Sequence, residues 1–189
     1  RAEWFLDKEI DVSVDGVISL DLDAVRSLLE ITGPIHLTDF NQTINSENLY
    51  EKTQSEVESD FFPGSYKKQG FMAALSKQLI LEISSLKSPD FLPLGLAVLK
   101  NLGSRHVQIF LHNPNTQKAL SQLGFDGSVS IPDCHGNCFS DFLGIIDANV
   151  GVNKVNYATK RELVHDIAIS DEGKISEVLT YTLKNTVSN

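Results

Sequence analysis

The hydrophobic period of this chain changes from helical to alternating partway along, and that change restricts its fold more than any other feature. Phe71, Leu75, Leu79, Ile83 and Leu86 recur at near-helical spacing and form one apolar stripe. Later, Val107, Ile109 and Leu111 share one side of a strand, as do Leu163, His165, Ile167 and Ile169. Asp171-Glu-Gly173 reads as a hairpin turn, with the return strand over 175–183. Both periods in one chain predict an α/β fold: a mixed sheet flanked by helices, with a long antiparallel hairpin near the C-terminus.

Local signals divide the rest. Residues 17–20 read as a short strand, and Asp21 as the cap of a helix over about 22–31, with Leu22, Val25 and Leu29 on one face. Gly33-Pro34 stops that helix. Pro63-Gly64-Ser65 opens the long helix that carries the Phe71 stripe, and Ser88-Pro89 breaks the chain after it. A short apolar helix is expected over about 93–102, ended by Gly103. Asn113-Pro114 is a cap and first-turn pair for a helix ending near Gly124. Residues 142–148 and 154–169 read as strands. At 189 residues, the chain is expected to form one domain over 1–189.

The formal net charge is −9, from 25 acidic residues against 16 Lys and Arg, so a phosphate backbone is repelled and nucleic acid is not an expected partner. The longest apolar run, 91–99, contains Pro93 and Gly95 and is too short to span a bilayer. The only Met is Met72, which points to a processed piece of a longer chain with any membrane anchor upstream. Cys134 and Cys138 lie in Asp133-Cys-His-Gly-Asn-Cys138, where Gly136 helps a small disulfide loop to close. A disulfide is preferred over free thiols, and both over a metal site, because zinc asks for about four ligands and only His135 is added locally.

No phosphate-binding glycine loop, zinc-protease motif or nucleophile elbow occurs. Asp15, Asp21 and Asp23 flank one strand-to-helix turn, where carboxylates can hold Mg²⁺. The simpler reading is that Asp21 caps the helix and Asp23 complements its dipole. Lys67, Lys68 and Gln69 open the long helix and are candidates to meet an anionic ligand. Asn149, Asn153 and Lys154 cluster around Gly151 as a turn or a polar ligand-binding rim. Cys134 beside His135 suggests a nucleophile and base, but a disulfide would consume the thiol. These residues call for no cofactor and no resident metal.

Three blocks carry a resemblance: Asp15-Gly-Val-Ile-Ser-Leu-Asp21 with Leu28-Leu-Glu-Ile-Thr-Gly-Pro34; 117–127, ending in Gly124-Phe-Asp-Gly127; and Asp141-Phe-Leu-Gly-Ile-Ile-Asp-Ala-Asn149 running into Gly151-Val-Asn-Lys154. In these the chain resembles the DUF4012 family of uncharacterised bacterial envelope proteins. The resemblance implies a domain held outside the membrane by an upstream helix. It implies no particular activity. A fainter likeness is to the LytR-CpsA-Psr family, which transfers polyprenyl-pyrophosphate-linked glycopolymers. It implies a lipid-phosphate pocket with Lys67 and Lys68 at its rim, although the arginines expected for pyrophosphate are absent there. The function expected is a non-catalytic extracytoplasmic module that binds cell-wall glycan, a lipid-linked precursor or an envelope protein. The alternative is a phosphotransferase acting on such a precursor. The membrane would be met only through the upstream anchor.

Overall fold

The structure is a computed structural model that describes residues 2–58, 67–129, 131, 133–136, 138, 140–147 and 158–186; the side chains of 57, 58 and 67–69 also fall outside the description. The chain divides into two compact units, Arg1–Ser130 and Ile131–Asn189.

The first unit runs α1 (Ala2–Ile10), β1 (Gly16–Leu20), α2 (Leu22–Thr32), β2 (Ile35–Leu37), β3 (Gln42–Ile44), α3 (Leu49–Glu58), α4 (Lys67–Ser85), α5 (Phe91–Gly103), β4 (Val107–Leu111) and α6 (Pro114–Leu123). The second unit contributes β5 (Thr159–Ile169) and β6 (Ile175–Asn185). The α/β class and the C-terminal hairpin expected from sequence are both present. Among the described residues the strands pair as three antiparallel couples: β1 with β4, β2 with β3, and β5 with β6. Residues 142–147, expected as a strand, carry no strand pairing. Their apolar run has the composition of a strand, but composition alone does not supply a pairing strand.

α2 shows how sequence becomes structure here. Asp21 is extended and accepts a hydrogen bond from Ala24 N at 3.0 Å, which removes one of the helix's orphan donors. At the far end Gly33 donates its N–H to Leu29 O. Its φ of 83° and ψ of −174° lie where only glycine sits without strain. The chain can therefore turn directly into β2.

α2 buries two sides. Leu28 and Leu29 join Ile35, Leu37, Ile44, Leu49, Phe71, Leu75 and Leu79 in the main core. Ala24 joins Leu102 and Val107 in a second cluster, with Ile109 and Phe125 against it. This revises the single face Leu22, Val25, Leu29: those first two residues are only partly buried, packed at the edge of the main core. The stripe on α4 is found from Phe71 to Ile83, with Phe71 and Leu75 essentially inaccessible and Ile83 packed at the margin, whereas Leu86 lies past the end of the helix and outside the core. Phe71 meets Phe40 edge to face at 5.3 Å. β1 and β4 approach closely at Gly16, where a Cβ would lie 2.2 Å from Phe110 O. α6 begins as read, with Asn113 Oδ1 accepting from Asn115 N and Thr116 N, and it ends at Gly124 in the left-handed region.

In the second unit, Cys134 and Cys138 form a disulfide, with Cα atoms 5.8 Å apart. β5 and β6 pair over eleven positions, from Thr159↔Asn185 to Ile169↔Ile175. Alternation puts Leu163, Ile167, Ile169, Ile175, Leu179 and Leu183 on one face of the ladder, as the register requires. Asp147 clamps that face. Arg161 Nε donates to its Oδ2 at 2.6 Å, and Tyr181 Oη donates at 2.9 Å. The bonds from Tyr181 and Arg161 hold the Asp147 carboxyl below the usual range. Desolvation, and then the hydrogen bond to Asp147 and its charge, push the Tyr181 phenol up.

Phe71→Ala should lower stability by about 3–5 kcal/mol, through lost burial and the cavity left behind. It should move the urea midpoint of the first unit without changing the slope. Asp147→Asn should bring the Tyr181 phenol down toward its ordinary value, because a neutral amide no longer opposes the phenolate. Absorbance titration would show one of the four tyrosines ionising at lower pH than in the parent.

Candidate functional site

The chemistry-bearing residues that the fold brings together lie where β1 passes into α2. Two backbone contacts build the corner. His106 N donates to Asn101 O at 2.9 Å as the chain leaves α5, and Asp21 N donates to His106 O at 3.1 Å. Between them Arg105 takes a left-handed φ of 63°. The tie sets the His106 ring beside Asp21, with Nδ1 2.7 Å from Oδ2.

Asp23 follows in the first turn of α2. It pairs with Arg26 Nη2 at 2.9 Å and accepts from Tyr50 Oη of α3 at 3.3 Å. One ligand atom each from Asp21, Asp23 and His106 lie within 4.8 Å of one another. Among the described residues this trio is the group placed to offer atoms to a cation. Asp15, weighed with Asp21 and Asp23 from sequence, is at the other end of β1, where its carbonyl accepts from His112 N.

The electrostatics of the corner favour the helix cap over a metal. Burial alone would raise the Asp21 carboxyl, but the bonds from His106 and Ala24 N outweigh it and hold the group below the ordinary carboxylate range. Burial, and then the nearby Asp23 charge, raise the Tyr50 phenol. The start of α2 presents partly positive N–H groups, and Arg26 adds a full positive charge. A cation entering here would displace Arg26 or His106 and face the positive end of the helix.

Of the residues singled out from sequence, Lys67, Lys68 and Gln69 begin α4, and their side chains lie outside the described residues. Asn149, Asn153 and Lys154 lie outside them altogether. The disulfide of Cys134 and Cys138 leaves no thiol for a nucleophile. His106 and Tyr50 were not read as partners of the Asp pair. His106 is 85 residues from Asp21 and Tyr50 is 27 from Asp23, and no local pattern links them.

What fold and corner define is an α/β domain whose polar cluster is built into a helix start. Residues 2–57 match the family model described as Protein of unknown function (DUF4012). Over this segment the chain is similar to the DUF4012 family, and the first of the three sequence blocks lies within it. The matched residues hold Asp21, Asp23 and Tyr50, whereas His106 lies beyond them. No curated protein and no solved structure matches the chain.

Asp21→Asn keeps a capping side chain but removes the charge facing His106. Because the native carboxyl titrates below its ordinary value of 3.8, its contribution is complete above that value. It is lost as pH falls through the lower native value. The parent should therefore be more stable than Asp21→Asn at about pH 6, and the gap should narrow as pH is taken down to about 2. Urea midpoints measured at both pH values check this. Asp21→Ala should cost about 1 kcal/mol in addition, through loss of the cap.

Proposed function

We propose that this chain is a non-catalytic binding module, part of a membrane-anchored bacterial envelope protein and held outside the cytoplasm. The observation that carries the reading is a row of apolar side chains on α5. Leu92, Leu96 and Leu99 follow at i, i+4 and i+7 and are 71%, 59% and 57% exposed. Scattered exposed leucines are ordinary, but a row along one helix face is the form of a contact surface. Phe91, at the start of the same helix, is also exposed. The polar corner supports the reading from the other side, because its carboxylates are already bonded to His106, Arg26 and Tyr50. The disulfide suits an oxidising compartment. No described helix is long and apolar enough to cross a membrane, so the anchor is part of the proposal alone. Among cell-wall glycan, lipid-linked precursor and envelope protein, an apolar row suits the lipid chain or the protein best.

A second reading has one observation in its favour. A phosphotransferase acting on polyprenyl-pyrophosphate-linked glycopolymer, similar to the LytR-CpsA-Psr family, needs a carboxylate pair for Mg²⁺. Asp21 and Asp23, with His106, are the pair at hand. The helix N-terminus and Arg26 weigh against it.

Titration of the domain with a polyprenyl phosphate, with and without Mg²⁺, separates the two by unfolding temperature. The module reading expects a saturable rise that ignores Mg²⁺ and disappears in Leu92→Ser with Leu96→Ser. At 100 times the dissociation constant the gain is about 2.7 kcal/mol. A rise that requires Mg²⁺ and vanishes in Asp21→Asn with Asp23→Asn overturns the module in favour of the transferase. No rise removes the lipid-linked precursor and leaves protein and glycan as partners.

A further inference from the structure

We infer that a cleft beside α1 is a binding site for an alkylammonium group. It is a shallow, open cleft of about 220 Å³, lined by Glu3, Trp4, Asp7, Val12, Ser13, Val14 and His112, with room for one small head group. It shares no residue with the α5 row or the Asp21 corner and does not depend on the reading given to either.

The cleft is assembled from local and distant parts. Glu3 and Asp7 stand four residues apart and so share a face of α1. Asp11 donates its N–H to Asp7 O and takes a left-handed φ of 52° at the end of the helix, before Val12, Ser13 and Val14 add to the lining. His112 reaches in from the end of β4. Its N–H donates to Asp15 O, and its Nε2 lies 2.9 Å from Glu3 Oε1.

Three properties select the ligand. Trp4 is 58% exposed although it lines the cleft, so much of the indole remains open to a partner. An indole face attracts a cation through its quadrupole. Glu3 and Asp7 add two carboxylates at the same cleft. The surrounding sequence is acidic as well: over residues 1–15, Glu3, Asp7, Glu9, Asp11 and Asp15 stand against Arg1 and Lys8. Lys8 pairs with Asp7 at 3.0 Å, but both side chains are more than half exposed, and such a pair yields readily to a competitor. Val12 and Val14 supply apolar wall for methyl or methylene groups. A neutral sugar of the same size would use the indole but gain nothing from the charge. The combination of one aromatic face, apolar wall and net negative charge suits a quaternary head group or the end of a lysine side chain.

Trp4 is the only tryptophan in the chain, so its fluorescence reports this cleft alone. The 189-residue chain would be titrated with choline, with N-acetyl-lysine amide, and with 3,3-dimethylbutanol, the uncharged counterpart of choline. A saturable change with at least one of the two cations, and none with the alcohol at equal concentration, is expected. Whichever cation binds more tightly tells whether the natural source is a quaternary head group or a lysine-bearing protein. Asp7→Asn, an exposed change on the helix surface, should weaken that binding about five-fold with the circular dichroism spectrum unchanged. Glu3→Gln provides a second variant if Asp7→Asn perturbs folding. An alcohol that binds as well as choline overturns the proposal, as does the absence of any saturable change with both cations.

Discussion

Everything positioned in the first unit depends on the burial of α2 from two sides. Leu28 and Leu29 close the main core against β2, β3, α3 and α4, while Ala24 closes a second cluster with Leu102 and Val107. Full burial of a leucine contributes about 1.5–3 kcal/mol, so the larger side dominates the energy. The smaller side decides geometry: an alanine there lets α5 and β4 come close. Asn101, buried on α5, reinforces the junction by donating to Ser27 Oγ of α2 at 2.7 Å and to Ala97 O. A polar side chain buried this way is tolerated because its donors are satisfied.

The polar corner follows from that anchoring. Once α5 and β4 are held against α2, the backbone leaving α5 is forced past the helix start, and His106 arrives beside Asp21. The two carboxylates themselves sit at the start of α2, where each negative charge stabilises the helix. Structural need thus accounts for the charged groups of the corner. Surfaces without such an account are of another kind: the leucine row of α5 and the acidic, aromatic cleft beside α1 contribute little to either core.

The second unit obeys a different constraint. A ladder of two strands is marginal by itself, since each strand has only one paired edge. The disulfide shortens the free chain before the hairpin, and the Asp147 clamp adds charge-assisted bonds across it. Its apolar face and its polar face are separated by register alone, so a slip of one residue would exchange them.

What the sequence determined by itself was everything governed by neighbours within a few residues. The Phe71 stripe, the caps at Asp21 and Asn113, the stop at Gly33, the turn at Asp171-Glu-Gly173 and the closure of Cys134 on Cys138 all follow from local geometry, and all are found in the structure. Residues 142–147 misled for the same reason, because strand composition does not supply a strand partner. Only the tertiary structure decided that α2 has two buried sides, that His106 and Tyr50 join the Asp pair, that His112 meets Glu3, and that Leu92, Leu96 and Leu99 of α5 stay exposed. Those outcomes depend on which distant segments pack together, and a chain's local pattern carries no record of the partner that lies 85 or 109 residues away.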